Sequence, residues 1–291
     1  MSAQVAENRP RAATAAVPVL MYHSVADRAA PGFRRFVTPP GPFLDQLDYL
    51  DAAGYQPVTA ADLAMAYRAG RPLPAQPVVL TFDDSFTDFA DTVLPALRKR
   101  GFCATLYVPT AYVGRTARWL RSCGEGDRPM LSWTVLRDIS TEGVEVAAHS
   151  HTHPQLDRMA AADAADEVRR SRRLLEDSLG VAVDGFAYPF GYWSRAARAA
   201  VEAAGFRYAC AVSELMASSA DDVLTLPRLT VNAGISLAEF AALLTTRPTP
   251  RSRWVAAGKR IAWRGLRSGV RSIGGDPREG SAGEPPQVSP A

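Results

Sequence analysis

The sequence predicts an α/β fold, a TIM-like (β/α) barrel of about seven strands, and three observations carry that prediction. Short apolar runs alternate with amphipathic segments throughout residues 17–245. No internal repeat interrupts them. The chain has 291 residues with 47% hydrophobic content, enough to bury one large core. Strand and helix taking turns implies a parallel sheet covered by helices, and about seven strands in this length favour a barrel over an open doubly wound sheet.

In chain order, VPVLMYHSV (17–25), PVVLTFDD (77–84), CATLYVPT (103–110), VEVAAHS (144–150), GFAYPFG (185–191), YACAV (208–212) and LTLPRLTV (224–231) read as strands. Between them FLDQLDYLDAAG, AADLAMAYRAG, FTDFADTVLPALRKRG, SWTVLRDI, AAADAADEVRRSRRLLEDSLG, RAARAAVEAAG and SLAEFAALL read as helices, several closed by a glycine. Three cysteines, Cys103, Cys123 and Cys210, are too few for a disulfide framework and point to a reducing compartment. The N-terminal stretch shows no basic segment followed by a long apolar run, and no window approaches ~18 consecutive apolar residues. A cytoplasmic protein is expected.

The net charge of +3 is unevenly spread. Eight basic and no acidic residues lie between Arg247 and Arg271, so the rest of the chain is net acidic. At 100° per residue, Arg253, Arg260, Arg264, Arg267 and Arg271 fall on one narrow face. Residues 247–273 thus read as a basic amphipathic helix, either docked on the barrel or lying against an anionic membrane at its inner face. The Gly-, Pro- and Ser-rich stretch 274–291 reads as a disordered tail and residues 1–16 as a flexible N-terminus. Nucleic acid is not an expected partner, because the barrel segment is net acidic and carries no base-reading motif.

In barrels and open parallel sheets alike, ligands gather at the carboxyl ends of strands. Asp83 and Asp84, His149, Phe190 and His23 all fall there. Three of the four histidines of the chain lie within AHSHTHPQL (148–156). His149 and His153 stand at i, i+4, a spacing that turns both imidazoles to one side of a turn or helix. One carboxylate would complete a three-ligand cation site with an open position, the pattern of catalytic rather than structural zinc, and a second would serve as base. Taken singly, Asp83-Asp84-Ser85 equally suits a helix cap and His23 a hydrogen-bonded structural histidine. Their convergence on one rim favours chemistry.

TFDDSF and HSHTHPQL, in this order, resemble the first two motifs of the polysaccharide deacetylase family (NodB homology, carbohydrate esterase family 4). The resemblance spans residues 17–245 and implies a distorted (β/α) barrel that removes acetyl groups from N-acetylated glycans by metal-assisted amide hydrolysis. It implies Asp83 as base and Asp84, His149 and His153 as ligands of a divalent metal: zinc, with cobalt or nickel as alternatives. His151 falls at a variable position. AYPFG (187–191) is similar to the third motif, whose aromatic residue, here Phe190, offers its backbone amide to the oxyanion. Ala187 stands where the family has an arginine bracing the base, and Arg228 is the candidate substitute. The family's late histidine acid is missing, since no histidine follows His153. VPVLMYHSV resembles the opening of the exopolysaccharide deacetylase subgroup, in which an early histidine, here His23, is the acid.

Tyr188, Tyr192 and Trp193 flank the third motif and are candidates for stacking on a sugar, alongside a role in core packing. The expected substrate is an N-acetylated glycan or, in the cytoplasm, a lipid-linked sugar precursor. A small non-glycan amide and glycan binding without turnover are the alternatives.

Overall fold

The structure, a computed structural model, describes residues 16–246. The readings made for the N-terminus, the basic helix at 247–273 and the tail at 274–291 therefore lie outside the described residues, except for residue 16. The chain forms β1 (Val19–Tyr22), β2 (Ser24–Val25), β3 (Val37–Thr38), α1 (Pro40–Ala52), β4 (Gln56–Val58), α2 (Ala60–Ala69), β5 (Pro77–Phe82) and α3 (Leu94–Arg100). There follow β6 (Ala104–Val108), α4 (Trp133–Ser140), β7 (Val144–Ala148), α5 (Ala161–Leu179), β8 (Gly185–Ala187), α6 (Arg195–Ala203), β9 (Tyr208–Cys210), β10 (Leu229–Thr230) and α7 (Leu237–Thr245).

All pairings within the main sheet are parallel, in the order β10-β1-β5-β6-β7-β8-β9. Leu226, three residues before β10, bridges Cys210 of β9, so the curled sheet returns to the strand beside which it began. This is the distorted seven-strand barrel expected from the sequence, with one addition. β4 pairs with the amino-terminal half of β5, at Pro77–Val79. It has only three residues and none is fully buried, so it carries no apolar run that periodicity could detect.

Period-2 alternation separates two cores. Val19, Val79, Tyr107, Ala147, Ala187, Tyr208, Cys210 and Leu226 fill the barrel interior. Their neighbours Leu20, Leu80, Leu106, Val146, Phe186, Ala209 and Leu229 pack under the helices. The segment FTDFADTVLPALRKRG departs from a single helix: Phe89–Val93 is a π-helical turn that leads into α3. Pro95 has no N–H for an α-type bond, which is reason enough for the ladder to shift there.

Candidate active site

The carboxyl end of the barrel is built by the same alternation. Extending β5 inward from Val79 and Thr81 brings Asp83 to the top of the interior, and extending the segment into β10 from Leu226 brings Arg228 beside it. The guanidinium is fully buried and grips the Asp83 carboxylate in a fork, Nη1 to Oδ1 at 2.6 Å and Nη2 to Oδ2 at 2.8 Å. It also donates to Thr81 Oγ1 at 3.2 Å and to the Ala211 carbonyl at 3.4 Å, and lies 5.3 Å from the Tyr107 ring centroid. Burial alone would raise the pKa of Asp83. The charge of Arg228 and its hydrogen bonds, helped by His149, outweigh burial and hold the carboxyl well below its ordinary range.

A regular strand would send Asp84 to the opposite face from Asp83. It does not, because Asp84 and Ser85 both take left-handed backbone, at φ 75° and 54°. Five of the six non-glycine residues with positive φ among the described residues, Asp84, Ser85, Ser150, His153 and Phe190, sit at this rim, so the strain in the backbone is concentrated there. Ser85 Oγ has no hydrogen-bond partner and the following helical turn begins at Phe89, which removes the helix-cap explanation of the Asp-Asp-Ser run.

Asp84, His149 and His153 converge. Asp84 Oδ1 is 3.3 Å from His153 Nε2 and 3.8 Å from His149 Nε2, and the three candidate ligand atoms lie within 4.8 Å of one another, all buried. His149 donates from Nδ1 to the Ala187 carbonyl at 2.8 Å, which leaves Nε2 as the lone-pair nitrogen facing the carboxylate. Burial lowers the basicity of both imidazoles, with His149 adding to the effect at His153, so both are neutral at pH 7 as ligands must be. Burial, followed by the Asp83 charge, raises Asp84 well above its ordinary range. Its Oδ1 is buried and has no hydrogen-bond partner. An unpaired buried acceptor between two neutral imidazoles fits a divalent cation.

The two histidines do not meet through a helix. Residues 149–155 form a loop in which the His153 amide bonds Ser150 Oγ at 3.1 Å and the two rings lie 4.9 Å apart. Glu167 of α5 holds that loop by accepting from the amides of His151 and Thr152 and from Thr152 Oγ1 at 2.6–2.9 Å. His151 is buried with Nδ1 on Thr110 Oγ1 at 2.8 Å, away from the three-ligand set. Glu167 and Thr110 have no signal in the sequence, because their roles depend on α5 and the β6 loop folding back. Thr81 did have one: it lies two residues before Asp83 and shares its face.

His23 is half-buried at the rim, 4.7 Å from the Phe36 ring, and feels the charges of Asp83, Arg228 and His149. Burial pushes it down to about 4 against the pull of Asp83. The neutral imidazole is therefore its resting form, and a role as acid would require a proton gained within the site.

The third motif divides. Phe190 is 47% exposed, in left-handed backbone, with its ring 4.8 Å from that of His153. Tyr192 and Trp193 are half-buried, and Trp193 packs against the outer core. Tyr188 corrects the sequence reading: it is completely buried and its hydroxyl donates to the Leu224 carbonyl at 3.0 Å, so no sugar can stack on it. Tyr188 also falls on the helix-facing side of β8, where Ala187 takes the interior position. Trp119, unremarked in the sequence, lies 5.0 Å from the His153 ring.

Fold and site together define a parallel (β/α) barrel with a two-histidine, one-aspartate set that could hold a cation and a second aspartate locked by arginine. Residues 70–209 match the family model described as polysaccharide deacetylase. The chain therefore carries a domain of the polysaccharide deacetylase family. It is 23% identical over 230 residues to the Bacillus subtilis (strain 168) protein YxkH, classed by name among polysaccharide deacetylases, covering 79% of this chain and 76% of that one. It is 33% identical over 136 residues to the poly-beta-1,6-N-acetyl-D-glucosamine N-deacetylase of Escherichia coli (strain K12), covering 45% of this chain and 20% of that enzyme's length. The solved structure of the Streptococcus pyogenes deacetylase PplD in complex with acetate shares the fold at a TM-score of 0.70, with 22% identity, covering 80% of this chain and all of that one.

Proposed function

We propose that the protein is a metal-dependent N-deacetylase that hydrolyses the acetamide of an N-acetylated sugar in a glycan or glycan precursor. The observation that carries this is the pairing of the Asp84-His149-His153 triad with an Asp83 carboxylate kept ionised by a buried arginine fork. A glycan-binding protein that had lost turnover would have no need of such a brace around a buried base. Asp84, His149 and His153 would hold the cation, zinc by the chemistry of the donor set, with cobalt or nickel as alternatives. When bound, it supplies Lewis acidity to a water and to the acetamide carbonyl.

The residues of the chain do the rest. Asp83 removes a proton from the attacking water, and Arg228 keeps the carboxylate oriented and charged until then. The Phe190 amide, set by its left-handed backbone, is the candidate donor to the oxyanion. As the C–N bond breaks, the amine takes up a proton and acetate leaves. His23, neutral at rest, delivers that proton after gaining it within the site, and the proton taken up by Asp83 is the available source.

The name of the E. coli relative makes a poly-N-acetylglucosamine chain the first substrate to try. Mass spectrometry of N-acetylated sugars incubated with metal-loaded protein should show loss of one acetyl group; no loss across the panel defeats the proposal. The proposal extends to a peripheral contact with an anionic membrane through residues 251–273, bringing a cytoplasmic enzyme to a lipid-linked sugar. Co-sedimentation with anionic liposomes should then fall in high salt and on truncation at residue 247. Unchanged binding, or none, removes this extension.

A further inference from the structure

Three segments at the barrel rim pack into a small core of their own. Phe33, Val37, Phe86, Ala117, Leu120 and Met130 are buried together there, with contributions from the segments after β2, β5 and β6. Arg128 ties them down: it bonds Ser24 Oγ at 2.9 Å, Glu125 at 3.0 Å and Asp88 at 3.3 Å, and lies over the rings of Phe86 and Phe33 at 5.4 and 5.5 Å. This cap delivers Trp119 to the metal triad. The indole stacks on Phe86 at 6.3 Å with 16° between planes, meets Tyr112 at 4.6 Å, and lies 5.0 Å from the His153 ring at 31°. Phe190, 47% exposed, also touches His153. A candidate ligand thus meets two aromatic rings.

A second observation singles out Trp119. Its Nε1 is buried and has no hydrogen-bond partner, like Asp84 Oδ1 beside the same histidine. A packing tryptophan normally pairs its N–H. A ring of this kind, with one face held by Phe86 and a donor left over, suits a flat-faced ligand with polar edges, which is the character of a pyranose.

We propose that Trp119 is a substrate-positioning residue: with Phe190 it forms the aromatic slot that seats the N-acetylated pyranose over the triad, its indole N–H donating to an oxygen of that sugar. This rests on the proposed deacetylase activity. Because the ring also contacts His153, the test must separate sugar positioning from support of the histidine. For Trp119→Leu, KM for a β-1,6-linked N-acetylglucosamine oligomer should rise about tenfold or more while the zinc affinity stays at the wild-type value. Trp119→Phe, which keeps a ring without the donor, should fold if leucine does not and should fall between the two. Loss of zinc binding in parallel with loss of turnover, or an unchanged KM in both variants, overturns the proposal. Calorimetry of the same oligomer on zinc-loaded Asp83→Asn, with and without Trp119→Phe, reads binding apart from turnover. If wild type deacetylates nothing yet the oligomer binds and Trp119→Phe weakens it about fivefold, the deacetylase reading fails and the slot stands; binding insensitive to Trp119 sinks the slot.

Discussion

The two ends of the barrel interior each carry a carboxylate, and they are treated in opposite ways. At the amino end, Glu145 accepts from Tyr208 Oη at 2.7 Å, Thr105 Oγ1 at 2.9 Å and the Ala61 amide of α2 at 3.1 Å. All its donors are neutral and burial leaves its pKa raised. At the carboxyl end, Asp83 is gripped by a guanidinium and pushed low, while its neighbour Asp84 is pushed high with an oxygen left unpaired. The first arrangement closes the barrel on itself. The second leaves one site charged and one acceptor unsatisfied, a state that a bound cation would complete.

The largest expected effect is at the unpaired end. Asp84→Ala or His149→Ala should abolish both tight zinc binding and activity, whereas His151→Ala should cost no more than ~10-fold, as expected of a residue outside the ligand set. Isothermal calorimetry and turnover read both quantities, and equal losses from all three would erase the distinction drawn for His151. Asp83→Asn should leave the metal bound while the rate falls by ~10²–10⁴, and His23→Ala should fall within the same range. Retained activity in His23→Ala would move the acid elsewhere.

The arginine fork can be opened on its own. Arg228→Met leaves a buried carboxylate without its partner, a loss of about 3–5 kcal/mol in denaturant unfolding. With the guanidinium gone, burial becomes the dominant influence on Asp83 and its pKa should rise. Arg228→Lys keeps the charge without the planar fork and should lose rate more than stability. A stability loss below ~1 kcal/mol for Arg228→Met would mean that the pair is not buried as described.

The pH dependence sharpens the contrast further. Asp84 is raised, so cation binding has to displace its proton, and zinc affinity should weaken as pH falls through that raised value while protons are released on binding. Calorimetry in buffers of different ionisation enthalpy counts them. At the other end, the raised pKa of Glu145 means that the folded state holds its proton longer than the unfolded chain does. Its contribution to stability is therefore fully present below the unfolded value of ~4.3 and is lost as pH rises through the folded value. Glu145→Gln should flatten that part of the stability profile and change unfolding at pH 7 by only about 1 kcal/mol, with no effect on zinc binding. A Glu145→Gln variant that lost zinc would mean that the two ends are coupled.

The sequence by itself determined the strand-helix alternation, the rim on which the polar residues fall and, through period 2, the shared inward face of Thr81 and Asp83. Those features are local: they follow from strand pleat and from which residues are apolar. It pointed to Arg228 through the absence of an arginine at Ala187, but the fork exists only because Leu226 closes the sheet and brings a segment 145 residues distant to Asp83. Tyr188 was misplaced for the converse reason, since motif proximity does not say which face of β8 a ring occupies. Only the tertiary structure decided that Asp84 turns back toward Asp83 through left-handed backbone, that Glu167 holds the histidine loop and that Trp119 reaches His153. Each depends on contacts between segments far apart in the chain, or on strain that the surrounding packing sustains, and neither leaves a periodic trace in sequence.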